Sequence, residues 1–375
     1  MPRRRLIITG LVLVAVSLLA AGCFHSDDEN GNGNGEAAQT GTGEDTGGEQ
    51  EGGGVFQQVQ DRGNVICGVN DAVPGFGTAT EGGEYEGFDI DYCRAVAAAV
   101  LGDANAVEFR ALTADQRFTA LQGGEVDVLI RNTTFTASRD GAEGARFLHT
   151  TYYDGQGMMV TAESGFTALE DLAGSTVCVL SGTTTELNLE TVFSAQGIEY
   201  TPLTFEENEP LQQAFIQGRC DAWTSDISQL AGVRSAWPDA QGGPESLVIM
   251  DEIMSKEPLG PVVRDGDDDW ADAVNWAVYA TILAEELEIT SENVQDMTSS
   301  EDQEILRLLG QPVEGEAFDS GLGLPPDFAE QVVRQVGNYG EIYERNVGET
   351  SPLELPRDFN ALWTDGGLHQ APPYR

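Results

Sequence analysis

Two short segments, far apart in the chain, set charges of opposite sign beside clusters of hydroxyls. The first is Asn132-Thr-Thr-Phe-Thr-Ala-Ser-Arg139 and the second is Gly218-Arg-Cys-Asp-Ala-Trp-Thr-Ser-Asp226. A guanidinium grips a carboxylate through a two-bond fork, and neighbouring hydroxyls such as Thr133, Thr134 and Thr136 can donate further bonds. An aspartate can take an ammonium. Delivered by different parts of a fold, Arg139 and Asp226 could hold both ends of a free amino acid. Each also has a plainer reading. Arg139 could pair at the surface with Asp140 or Glu143, and Asp226 could cap the segment 227–233. A third group, Thr183-Thr-Thr185, stands where a helix opens after a buried strand. Backbone N–H groups and the helix dipole favour an anion there. Thr183 reads as the cap, which leaves Thr184 as the ligand contact.

Other chemistries find no support. The histidines are His25, His149 and His369, and no HExxH, G-x-S-x-G or Walker A pattern is present. The acidic run Asp265-Gly-Asp-Asp-Asp269 reads as a turn plus acids at a helix N-terminus, where the dipole favours them, rather than as a calcium loop. No metal or cofactor is expected.

The elements that must position these residues follow from apolar spacing. Residues 65–69 read as a strand, 89–101 as an amphipathic helix stopped by Gly102, and Thr113-Ala-Asp-Gln116 as a capping box ahead of Phe118 and Leu121. Residues 126–130 form a continuous apolar strand with one acid. Strand, helix, strand, helix, strand at this spacing predicts a parallel α/β sheet. The pattern restarts after Gly165. A strand at 176–180 leads into a capping box, Thr183-Thr-Thr-Glu186, and a helix to Gly197. A helix with Pro210 at its first position and Leu211, Ala214 and Phe215 facing inward ends at Gly218. A strand from 220 follows, and Asp226 ends it, at the carboxyl edge where open α/β sheets bind ligands. A strand near 247–253 leads back out. Trp270, Ala273, Val274, Ala277, Val278, Thr281 and Ile282 then mark one face of a long helix, and residues 328–347 read as further helix.

The N-terminus reads as a targeting segment. Arg3 to Arg5 precede an apolar stretch, 6–21, which is short for a spanning helix, and small residues lead to Cys23. A cysteine at that point suits a lipoprotein signal, residues 1–22, with Cys23 acylated; export by the general or the twin-arginine route stays open. Residues 23–54, rich in Gly, Asn, Thr and acids, should form a flexible tether, with the membrane touched only through the lipid anchor. The net charge is −44 and Lys256 is the one lysine. Such a chain should avoid nucleic acid and anionic lipid. Adaptation to high salt, where screening makes self-repulsion tolerable, accounts for the charge better than recruitment of cations. Apart from Cys23, the cysteines are Cys67, Cys93, Cys178 and Cys220. An even number in an exported chain argues for disulfides, with buried free thiols as the alternative. Cys67 and Cys93 both point into one sheet–helix contact, and Cys178 and Cys220 both lie in short strand-like runs. The pairs expected are Cys67–Cys93 and Cys178–Cys220.

Several segments, in this order and spacing, resemble the polar amino-acid family of substrate-binding proteins that serve ABC importers. They are Gly87-Phe-Asp-Ile-Asp91, Gly124-Glu-Val-Asp127, Ser181-Gly-Thr-Thr-Thr185 and Gly218-Arg-Cys-Asp221. Arg131-Asn-Thr-Thr134, Asp154-Gly-Gln-Gly157, Ser255-Lys-Glu-Pro-Leu-Gly-Pro261, Val336-Gly-Asn-Tyr-Gly340 and Asn360-Ala-Leu-Trp363 are similar to its general L-amino-acid branch. The resemblance covers residues 55–375. It implies an α/β fold of two lobes joined by two hinge strands, with a ligand cleft between. Lobe 1 would be 55–159 with 254–375, and lobe 2 would be 160–253. It implies Arg139 on the ligand α-carboxylate with Thr134 and Thr184, Asp226 on the α-ammonium, Asn132 lining the pocket and Phe76 as an aromatic wall. The tyrosine of histidine-binding members falls nearer Val73, so the side-chain pocket departs from that pattern. The function implied is a monomeric, extracytoplasmic, non-enzymatic receptor that delivers L-amino acids to a membrane permease. A periplasmic dehydratase-type enzyme or a ligand-sensing module on the same fold is the alternative.

Overall fold

A computed structural model of the protein describes residues 54–316 and 318–375. The expected signal peptide, Cys23 and the tether up to residue 53 lie outside the described residues. Helix α1 (Val55–Arg62) leads into strand β1 (Val65–Val69). A small antiparallel meander follows, made of β2 (Ala72–Val73), β3 (Gly77–Ala79) and β4 (Tyr85–Glu86). Helix α2 (Phe88–Leu101) starts at Gly87, where φ is +135° and a Cβ would stand 2.2 Å from the Phe76 carbonyl oxygen. Gly102 ends it in the left-handed conformation that glycine adopts without strain. A disulfide joins Cys93 of α2 to Cys67 of β1.

Strand β5 (Val107–Ala111) pairs parallel to β1. The Thr113–Gln116 box is formed, each side chain accepting the other's backbone N–H at 3.3 Å, and α3 (Arg117–Gln122) follows. Strand β6 (Val128–Leu129), shorter than the apolar run suggested, pairs parallel on the other side of β1. The chain then makes α4 (Ala137–Ala142) and β7 (Ala145–Phe147). This first sheet is completed from far along the chain by β14 (Val262–Arg264), giving the order β5-β1-β6-β14-β7.

The second sheet begins with the ten-residue β8 (Tyr152–Thr161). It continues through β9 (Thr176–Leu180), α5 (Thr184–Gln196), β10 (Thr201–Phe205), α6 (Asn208–Ile216), β11 (Ala222–Asp226), α7 (Ile227–Ser235) and β12 (Leu247–Ile249). Its order is β10-β9-β11-β8-β12, and a disulfide joins Cys178 to Cys220. Two expectations shift here. Helix α6 starts two residues before Pro210, and the outgoing strand stops at Ile249 instead of 253. The chain returns through β13 (Lys256–Leu259), which pairs antiparallel with the first half of β8, Glu257 opposite Asp154 and Pro258 opposite Tyr153. The two crossings between the sheets therefore run side by side as one ribbon.

Helix α8 (Asp268–Glu286) packs its periodic face into the first core; Trp270, Ala273, Val274, Ala277, Val278, Thr281 and Ile282 are all buried. Asp267 caps it by accepting the Trp270 N–H at 3.1 Å, which gives the acidic run its structural role. Helices α9 (Val294–Met297), α10 (Gln303–Leu308), α11 (Phe328–Gln335) and α12 (Tyr339–Asn346) complete the chain's helical part. The helix expected over 328–347 is thus broken in two. Gly337 turns the chain at φ +106°, and Asn338 opens α12 in a reciprocal box with Glu341, both bonds 2.9 Å. Among the described residues no helix is long and apolar enough to cross a membrane.

Candidate functional site

The carboxyl ends of β6 and β11 deliver the two segments to opposite walls of one cleft. Directly after β6 the backbone turns sharply at Asn132, whose φ is +33°. Asparagine tolerates this left-handed turn better than most residues. The Asn132 N–H donates to Asp89 Oδ2 at 2.7 Å, and Nδ2 donates to Asp226 Oδ2 at 3.1 Å. Its Oδ1 accepts from Asn70 Nδ2. Thr136 caps α4 through the Arg139 N–H at 3.3 Å, which fixes the helix turn carrying that arginine.

Arg139 is almost buried. It donates to the Thr134 carbonyl at 3.0 Å and, across the cleft, to the Gly182 carbonyl at 3.3 Å. No ion pair joins it to Asp140 or Glu143 among the described residues, so the surface-pairing alternative drops out. Asp226 occupies the N-cap position of α7 but makes no capping bond; its carboxylate faces Asn132 instead. Burial first, then Asp154 and Glu257, hold that carboxyl well above the usual carboxylate range, while the Asn132 side-chain amide and Arg117 pull it back.

Across from Thr134 stands the start of α5. Thr183 caps it, accepting the Glu186 N–H at 3.1 Å. Glu186 reaches back one residue further than a simple box, to the Gly182 N–H at 3.1 Å. Thr184 donates its hydroxyl proton to Glu257 Oε2 at 2.8 Å. With that proton committed, the 3.3 Å contact between Thr134 Oγ1 and Thr184 Oγ1 must be donated by Thr134. Glu257, buried on β13, also accepts from Asn188 at 2.9 Å and from Ser255. Its neighbour in register, Asp154, accepts from Ser228 and the Gly155 N–H and is pushed up to about 7 by burial.

These groups surround a cavity of about 20 Å³, lined by Asn132, Thr134, Arg139, Thr184 and Asp226 among others. That is room for about one water. Hydrogen bonds cross the cleft between Asn132 and Asp226, Thr134 and Thr184, and Arg139 and Gly182. Five of the six binding residues expected from sequence meet here or nearby, and Phe76 does not. Its ring is buried in the core against Phe88 and Tyr152, 5.8 and 5.1 Å between centroids, because the meander turns it inward. It is no wall of the cavity.

The sequence profile of the bacterial extracellular solute-binding proteins, family 3, matches residues 65–293. The chain belongs to this family. Among family 3 relatives, it is 46% identical over 321 residues to the general L-amino acid-binding periplasmic protein AapJ of Rhizobium johnstonii, covering 86% of this chain and 93% of that one. It is 47% identical over 322 residues to the glutamate/glutamine/aspartate/asparagine-binding protein BztA of Rhodobacter capsulatus, with the same coverage. A solved ABC-transporter periplasmic binding protein from Brucella ovis, with glutathione bound, superposes with a TM-score of 0.82 at 47% identity, covering 86% of this chain and all of that one. The two-lobed α/β fold is that of family 3.

Sequence reasoning missed several residues that line this cavity. Arg117 and Arg131 are buried and line the cavity, as do Asn70, Asn208, Ser225 and Gln229. A signal for Arg117 existed: it stands four residues before the buried Leu121, on the same helix face. A signal for Arg131 was its place directly after a continuous apolar strand.

Proposed function

We propose that this protein is the substrate-binding receptor of an ABC importer and takes free L-amino acids in its cleft. The observation that carries the reading is the pair Arg139 and Asp226, which face one cavity from opposite walls. A carboxylate on Arg139, the Thr134 hydroxyl and the first N–H groups of α5 would leave the ammonium facing Asp226. The cross-cleft bonds Asn132–Asp226 and Arg139–Gly182 then give way to bonds through the ligand, which favours the closed state. The closed lobes present their surface to a membrane permease.

The assignment of residues 55–159 and 254–375 to lobe 1, and of 160–253 to lobe 2, puts one disulfide in each lobe and leaves the ribbon between them free. Disulfides suit an extracytoplasmic setting. Cys23 would tether the receptor, as a monomer, to the membrane surface. The similarity to periplasmic amino-acid-binding proteins supports the ligand class, and glutathione itself carries an α-amino-acid group at its γ-glutamyl end.

Calorimetric titration of the mature protein with a panel of amino acids tests the reading. Arg139→Ala and Asp226→Ala should each weaken binding by about 100-fold or more while leaving the melting transition intact. Undiminished binding in both variants would remove this site from the reading.

A further inference from the structure

The ribbon that joins the two sheets is gripped from outside, and the grip changes sides within one residue. Thr151, Tyr152 and Tyr153 are bound to the body built on the first sheet. The Tyr153 N–H donates to Asn360 Oδ1 at 2.7 Å, and its carbonyl accepts from Asn360 Nδ2 at 3.1 Å. A side-chain amide that takes both backbone groups of one residue acts as a neighbouring strand would. Asn360 is 4% exposed and belongs to the segment after α12, beyond the part of the chain that the family profile matches. Its own carbonyl accepts from Arg357 Nε at 3.0 Å, and Arg357 forks onto both carboxylate oxygens of Glu285 on α8 at 3.1 Å. Tyr339, which opens α12, donates to the Thr151 carbonyl at 3.0 Å, and the Tyr152 ring stacks on Tyr343 with 6.0 Å between centroids. On the facing strand, the Pro258 carbonyl accepts from the Phe135 N–H at 2.9 Å.

The next rung belongs to the other body. Asp154, opposite Glu257, accepts the hydroxyl of Ser228 at the start of α7. Glu257 accepts from Thr184 and Asn188 of α5 at 2.8 and 2.9 Å. By Gln156 the strand lies inside the second sheet, opposite Asp226. The pair Tyr153 and Pro258 is therefore tied to one body and the pair Asp154 and Glu257 to the other. Any motion between the bodies falls on the torsions between these two rungs. Pro258 fixes its own φ and holds Glu257 extended, which leaves few of those torsions soft.

We infer that the cleft opens and closes on this single step of the ribbon, and that Asn360 is the positioning residue that fixes its near side. It acts on binding through Tyr153 and not through the ligand. Without the Asn360 amide the bend spreads into residues 151–153. Arg139 and Asp226 then stand at the binding distance for a smaller fraction of the time, and apparent affinity falls in proportion to that fraction. The effect on affinity rests on the proposed amino-acid clamp; the location of the pivot does not.

Asn360→Ala removes both amide bonds. Calorimetry with the standard L-amino acids should show the tightest binder weakened by about tenfold. Residue-resolved hydrogen exchange without ligand should show the amides of residues 151–155 opening at least about tenfold faster, with α2 and α8 unchanged. The melting temperature should stay within about 3 °C of the wild type. Phe359→Ala, at an exposed neighbour in the same segment, should leave affinity and exchange as they are. Arg357→Lys gives up the fork that joins Glu285 to the Asn360 carbonyl, and should shift both readouts in the same direction by less. Unchanged exchange in the ribbon would overturn the pivot. A lowered melting temperature with affinity intact would make Asn360 a merely structural residue and overturn its positioning role. A wild-type protein that binds no amino acid would sink the clamp, and the exchange rates would still decide the pivot.

Discussion

At the scale of single residues, the site works by holding groups in states that water would not allow. Asp226 is the clearest case. Its carboxyl is raised by burial and by the nearby acids Asp154 and Glu257. Under the proposed function, a ligand ammonium beside it would stabilise the carboxylate, so its pKa would fall on binding and a proton would leave. Affinity is then full above the raised pKa of the free protein and declines as pH is lowered through it, in a window above the ordinary carboxylate value of about 4. Titrations at one pH in buffers of different ionisation enthalpy should show proton release, and Asp226→Asn should abolish it. Heats independent of the buffer in the wild-type protein would contradict this account. Charge also explains what was legible here. Arg139, Thr134, Thr184, Asn132 and Asp226 stood out because polar residues clustered at strand exits and at a helix start. Arg117 did not, since an arginine on a helix ordinarily reads as solvated and only tertiary packing buries it. Phe76 misled because an aromatic near the cleft can face either way, and the short meander decided for the core.

Secondary elements were most readable where their signals are local. The boxes at Thr113 and Thr183 and the glycine stops at Gly102 and Gly197 are written within a few residues of the ends they set. Apolar periodicity ran through Gly337 without interruption, so the break between α11 and α12 was lost, although Gly337-Asn338 carried the information. Strand lengths were less legible, since an apolar run such as 126–130 records burial while pairing depends on the partner strand. The cysteine pairs were readable because Cys67 and Cys93 face one sheet–helix contact, while Cys178 and Cys220 both lie in short strand-like runs. The Cys178–Cys220 bond closes a loop of 42 residues and ties β9 to the entry of β11. Chain entropy assigns it about 4 kcal/mol. A Cys178→Ser/Cys220→Ser double variant should melt about 5–10 °C lower, with amino-acid affinity at room temperature changed less than about threefold. An unchanged melting temperature would show that the bond does not constrain the unfolded chain.

For the molecule as a whole, the fold class and the two α/β units followed from the order of elements. The place of β14 did not, because it joins the first sheet from far along the chain and antiparallel to its neighbours. A net charge of −44 acts at this scale as well. Like charges repel more in the compact state than in the expanded one, and salt screens them. The melting temperature should therefore rise by several degrees between about 0.05 and 1 M sodium chloride, and a fall would mean that attractive pairs dominate the surface. Finally, β8 and β13 cross between the sheets bonded to each other, Lys256 to Leu259 against Gly155 to Tyr152. Two lashed bands bend readily along one line and resist shear and twist. Under the proposed function, opening and closing then reduce to one angle. A permease that gauges one angle learns that cargo is aboard and nothing of what the cargo is. Such a signal discards the identity of the amino acid, and that loss of information is what lets one transporter accept many different loads.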